Sequence, residues 1–187
     1  MANRHDIPLP PLELPASLVP SVLPLLLHTI ILLRAPKTLT PSDVVEEPCV
    51  LEDLSFKKLR YPQVTATVDE AVKNLMTSPL TPVGPDLSQG SLTINFYIEQ
   101  PPALSFLGLG KPTRVVFERW HLNIIVDAVP PPLTNTAAGE IELRRGRRQA
   151  EDQVRLCLGR IYDWAMKGAG GRPKEYLYDV RVGVEGE

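Results

Sequence analysis

The residues able to do acid–base, nucleophilic or metal chemistry are few and scattered. Nucleophilic catalysis needs a Ser or Cys beside a base, usually His, and the chain has three histidines. His5 lies in a proline-rich start. His28 sits in the most apolar stretch, where an imidazole bonded to a carbonyl is a plainer reading than a functional group. His121 falls on the polar side of a strand-like alternation. No Gly-x-Ser-x-Gly elbow occurs, and no His or Cys spacing suits zinc. Gly108-Leu109-Gly110-Lys111 invites a phosphate loop, but Ser105 stands where the first glycine belongs and Pro112 where Ser or Thr belongs. The sequence therefore predicts no catalytic residue, no metal and no cofactor. Of the two cysteines, Cys49 and Cys157, the second lies on a helical apolar stripe and reads as a buried thiol.

Two features suit binding better than catalysis. The stretch from Pro101 to Gly110 carries Leu104, Phe106, Leu107 and Leu109 between prolines and glycines, in a loop joining two strands. These side chains either fold back onto the core or form an exposed apolar finger for a partner or lipid. The second is the cluster Arg144, Arg145, Arg147 and Arg148, flanked by Glu140, Glu142, Glu151 and Asp152. It is a solvated helix start or an arginine-rich protein interface, and its charges oppose the helix dipole.

The elements that must position these residues follow from periodicity. Residues 1–15 read as an irregular proline-rich tail, and 16–187 as one domain. Ser17 caps a first helix, apolar nearly all round, with Pro24 bending it or delaying its start. Thr38 to Pro48 reads as a polar loop or weak hairpin, and Val50 to Arg60 as a strand. Thr67 and Glu70 form a capping box opening a second helix, which stops before Pro79. Leu92, Ile94, Phe96 and Ile98 alternate with Thr93, Asn95, Tyr97 and Glu99 in one strand. In the next, Val116, Trp120, Leu122, Ile124 and Val126 share a face, and Glu118 is the exception, placed where the strand leaves the core. A third helix from about Glu140 to Lys167 has the core face Ala150, Val154, Cys157, Leu158, Ile161 and Trp164. Tyr176 to Val184 closes as a strand. This order predicts an α+β fold, a mostly antiparallel sheet with three helices on one face.

Composition excludes some partners. The net charge of -2 draws the chain neither to nucleic acid nor to an anionic membrane. Leu18 to Leu33 is shorter than the ~20 apolar residues a bilayer needs and contains His28 and two prolines. It fits a core helix better than a span or a signal peptide, and the absence of an Asn-x-Ser/Thr sequon agrees with a cytosolic home.

Four strings resemble the autophagy-related protein 101 family, in the same order: Leu27-His28-Thr29-Ile30-Ile31-Leu32-Leu33-Arg34, Gly90-Ser91-Leu92-Thr93-Ile94-Asn95-Phe96-Tyr97, Glu118-Arg119-Trp120 with the strand after it, and Tyr176-Leu177-Tyr178. The resemblance, to a member of fungal type, implies a HORMA-like fold and a non-enzymatic subunit of the autophagy-initiating Ser/Thr kinase complex. Such a subunit pairs with and stabilises the HORMA domain of autophagy-related protein 13. It works at the phagophore assembly site (the preautophagosomal structure) in the cytoplasm. The resemblance also implies a Trp-Phe finger between the central strands that recruits downstream factors. Here that loop has Phe106 but no tryptophan, so Leu104, Phe106, Leu107 and Leu109 are the finger candidates, with Arg144, Arg147 and Arg148 as candidates for the dimer surface. The alternatives are a HORMA adaptor of a checkpoint or repair pathway, or a peripheral membrane module using the 101–113 hairpin.

Overall fold

The computed structural model describes residues 4–35, 39–51, 54–101, 112–130, 136–167 and 175–183. Two long strands form the spine: β6 (Leu87–Gln100) and β7 (Thr113–Asp127), paired antiparallel from Leu87 opposite Asp127 to Gln100 opposite Thr113. Their alternation of apolar and polar residues is what a half-buried sheet requires. On the far side of β6 lie β5 (Thr81–Pro82) and β8 (Leu177–Gly183), both antiparallel to it. On the far side of β7 lie β1 (His5–Pro8) and β2 (Leu12–Pro15), both parallel to it. The sheet is mixed but mostly antiparallel, and with three helices among the described residues the fold is α+β as expected, consistent with a HORMA-like architecture.

The start of the chain departs from the sequence expectation. Instead of an irregular tail, residues 5–15 form a two-piece edge strand that buries Ile7, Leu9, Leu12 and Leu14. The prolines at 8, 10, 11 and 15 are compatible with this because an edge strand has N–H groups that pair with nothing in the sheet. Leu9 N–H donates to the His121 carbonyl at 2.9 Å, and Ala16 N–H to the Asp127 carbonyl at 2.8 Å.

Helix α1 (Val19–Leu33) starts after Leu18 without a side-chain cap, so Ser17 does not act as one. Pro20 sits in the first turn and Pro24 is accommodated inside the helix. Ten of its fifteen residues are buried, as its all-round apolarity predicts, because α1 packs against α2 (Pro62–Thr77), α3 (Ala137–Lys167) and β4 (Ser55–Leu59). Strands β3 (Val44–Pro48) and β4 (Ser55–Leu59) form a separate hairpin. The single strand expected over Val50 to Arg60 is thus shorter, and its partner comes from the expected loop.

Helix α2 begins five residues before the expected Thr67. Pro62 fixes the first helical φ, and Tyr61 before it is extended, as a residue preceding proline prefers. Thr67 is therefore inside the helix, where its hydroxyl donates to the Gln63 carbonyl at 2.9 Å instead of forming a capping box. For α3 the cap is Thr136, whose hydroxyl accepts from Gly139 N–H at 3.0 Å. The core lies between the helices and the sheet face carrying Leu92, Ile94, Phe96, Trp120, Leu122 and Ile124.

Candidate protein-binding site

The β6–β7 hairpin ends in the segment holding Leu104, Phe106, Leu107 and Leu109, all of which lie outside the described residues. Its root is well built. Gln100 pairs with Thr113, and the Arg114 guanidinium lies 4.7 Å from the Tyr97 ring centre and 3.5 Å from Glu99. On the same outer face Arg119 donates to Asn95 at 2.7 Å, and Asn95 donates to Asp179 at 2.8 Å. Asp179 also takes an ion pair from Arg181 at 2.9 Å, so this polar layer ties β7, β6 and β8 together.

The three arginines proposed for a dimer surface do not act alike. Arg144 is exposed and lies 3.9 Å from Glu140, and Arg148 is exposed as well. Arg147 is partly buried and lines a cavity of about 460 Å³ with Ser17, Leu18, Asp127 and Val129. Helix geometry separates them, because Arg147 turns towards the body of the fold.

The larger apolar exposure on α3 was missed by sequence reasoning. Ile141 (67% exposed), Leu156 (65%), Tyr162 (50%) and Met166 (83%) point to solvent. The buried stripe is Ala150, Val154, Cys157 and Ile161, at intervals of four, three and four residues. Leu158 and Trp164, expected on the core face, are only partly buried. Large apolar residues falling off that stripe were the available signal. Between α1, α3 and the β3–β4 hairpin runs a groove of about 350 Å³ lined by Leu32, Leu33, Phe56, Leu158 and Tyr162. The Cys157 thiol donates to the Pro10 carbonyl at 3.5 Å, and burial pushes its pKa up to about 11, so it is an inert core thiol as expected.

Behind these surfaces the four strings singled out in the sequence converge. Arg34, just past the end of α1, is 2% exposed, and its Nε lies 2.7 Å from Glu118 Oε1, although the N–H is not aimed along that line. Glu118 Oε1 also accepts from the Trp120 indole at 2.7 Å, and Oε2 lies 3.5 Å from the Trp164 indole nitrogen. The Arg34 carbon Cζ sits 5.5 Å from the Trp120 ring centre. The Tyr176 hydroxyl donates to the Arg34 carbonyl, and its ring meets Phe96 edge-on at 5.9 Å and Phe117 at 5.4 Å. Tyr176 immediately precedes β8, so the closing strand is tied to the end of α1.

Glu118 corrects the sequence expectation, since it lies in the core and not at its exit. The β6–β7 register slips by one residue between Phe96 and Tyr97: Phe96 faces Glu118, but Tyr97 faces Val116. Phe117 is the extra residue of a bulge, which turns Val116 away from the face of Trp120 and leaves Glu118 on it. Burial raises the Glu118 carboxyl above its usual range, while the Trp120 and Trp164 N–H groups and the charge of His5 oppose that. His28 also differs from expectation. Its ring stacks on Phe56 at 5.9 Å, and Nδ1 has no hydrogen-bond partner among the described residues.

Chemically this is an exposed apolar helix face over a buried polar node. Among the described residues no group of three or more His, Cys, Asp or Glu is placed to hold a metal ion, and no helix is long and apolar enough to cross a membrane. A family model described as Autophagy-related protein 101 matches residues 12–170. The chain belongs to the autophagy-related protein 101 family. Its role is accordingly in autophagy. The match opens at Leu12, the first residue of β2, and covers the spine strands and all of α3. Three of the four strings lie inside it, while Tyr176-Leu177-Tyr178 lies beyond and is tied to the family core through Arg34 and Phe96. No curated protein matches the chain.

Proposed function

We propose that this member of the autophagy-related protein 101 family is a non-enzymatic HORMA subunit of the autophagy-initiating kinase complex. In this reading it pairs with and stabilises the HORMA domain of autophagy-related protein 13, at the cytoplasmic phagophore assembly site. The observation that carries pairing is the exposed apolar pair Tyr162 and Met166, one turn apart on α3, where Tyr162 lines the groove with Leu158 and Phe56. A pair of this kind beside an apolar groove is costly to leave in water and marks a protein interface. Arg144 and Arg148 would sit at its polar rim, where arginine is favoured. The hairpin residues Leu104, Phe106, Leu107 and Leu109 would recruit downstream factors.

The test is co-expression with the autophagy-related protein 13 HORMA domain, followed by size-exclusion chromatography. A stable one-to-one complex is expected, and Tyr162→Asp with Met166→Asp should abolish it while both chains stay folded. Separate elution of two folded wild-type chains would falsify the reading. Phe106→Ala with Leu107→Ala should leave the complex intact and reduce capture of downstream factors.

A further inference from the structure

The connection from α2 to β6 carries Pro79 and Pro82, three residues apart. Three residues is one turn of a polyproline II helix, so in such a chain both rings fall on one edge. The backbone enters that conformation at once, because Ser78, which closes α2, has φ -74° and ψ 150°. Each proline fixes its own φ and keeps the residue before it, Ser78 or Thr81, out of the helical region. Pro79, Thr81, Pro82 and Val83 are all exposed, whereas Leu80 is partly buried and packs against the core. The segment is also held in place: Thr81 and Pro82 pair with Gln89 and Ser88 as β5, and Val83 N–H donates to the Leu87 carbonyl at 2.9 Å. That pairing uses one edge of β5, and its other edge meets no strand among the described residues. The same spacing occurs at Pro8 and Pro11, but Ile7, Leu9 and Leu12 around them are buried beside β7, so that segment is taken up by the fold.

We propose that Ser78 to Val83 is a docking segment for a protein domain that reads prolines three apart through an aromatic-lined groove. In this mode of recognition the proline rings sit between aromatic side chains, and a chain already extended gives up little conformational freedom on binding. Met76 and Val83, both exposed, flank the prolines and lengthen the apolar contact. No charged residue stands between Asn74 and Pro85, so the contact rests on the rings and not on an ion pair. A Kd of roughly 0.1–1 mM is expected for so small a contact. The segment takes nothing from the α3 face or the β6–β7 hairpin, so it is independent of the pairing with autophagy-related protein 13.

The experiment titrates the full chain, isotope-labelled for nuclear magnetic resonance, with a panel of purified SH3, WW and EVH1 domains. At least one domain is expected to shift the amide signals of Leu80, Thr81 and Val83 while those of α3 stay in place. Pro79→Ala with Pro82→Ala should weaken that binding about tenfold or more. Free oligoproline fills the same aromatic groove and should displace the chain from the domain; if the double variant does not fold, this displacement decides. No shift with any domain at ~1 mM, shifts confined to another face, unchanged binding of the folded double variant, or no displacement by oligoproline would overturn the proposal.

Discussion

Arg34 and Glu118 face each other at 2.7 Å in the interior, one from the end of α1 and the other from the bulged strand β7. Neither is more than slightly exposed. Removing one member of such a pair strands a buried charge and costs about 3–5 kcal/mol. Urea unfolding of Arg34→Met and of Glu118→Leu should each show a loss of that order. The double variant should lose less than the two singles together, because no charge is left unpaired. Additivity to within about 0.5 kcal/mol would show that the two do not interact energetically.

His28 gives a pH dependence of definite sign. Burial, helped by Lys58, lowers its pKa from 6.5 to about 4, against weaker opposing pulls from Asp69 and Glu47. Because the folded value is depressed, the neutral ring's contribution is fully present above pH 6.5 and is lost as pH falls towards 4. At roughly 1.4 kcal/mol per unit this amounts to about 3 kcal/mol. Thermal melts across that window should fall for the wild type and fall less for His28→Leu. Parallel slopes in the two proteins would remove His28 as the cause.

Gly90 marks a close approach between β6 and the end of α2. A Cβ there would stand 2.7 Å from Leu80 Cδ2 and 2.9 Å from Leu75 Cδ1. Leu75 is fully buried and has little room to yield, so Gly90→Ala should cost about 1–3 kcal/mol. Leu80 is only partly buried, and Leu80→Ala should recover part of the loss in the Gly90→Ala background. No destabilisation in denaturant melts would mean that both leucines move aside freely.

The two cysteines should separate cleanly. Cys49 is partly accessible, whereas Cys157 is buried with its pKa pushed up to about 11. A maleimide at neutral pH is expected to label Cys49 alone in the native protein and both after denaturation, as read by intact mass. Native labelling of Cys157 would show that α3 opens away from the proline-rich edge strand.

The sequence was most legible where burial imposes a local period. The all-apolar α1, the alternation of β6 and the stripe Ala150, Val154, Cys157 and Ile161 could be read directly, because each pattern repeats within a few residues. Boundaries were read less well. Thr67 offered a capping box, but Pro62 begins α2 a turn and a half earlier, and proline's fixed φ outweighed a side-chain hydrogen bond.

By itself the sequence determined which stretches had to be buried, the α+β class and the absence of a recognisable catalytic motif. These follow from composition and short-range pattern. Only the tertiary structure decided that Ile7 and Leu14 lie beside β7, that the Phe117 bulge turns Glu118 inward to Arg34, and that Leu156 and Met166 are left in water. Each of those depends on which segment packs against which, and pairing between distant segments leaves no local period to read.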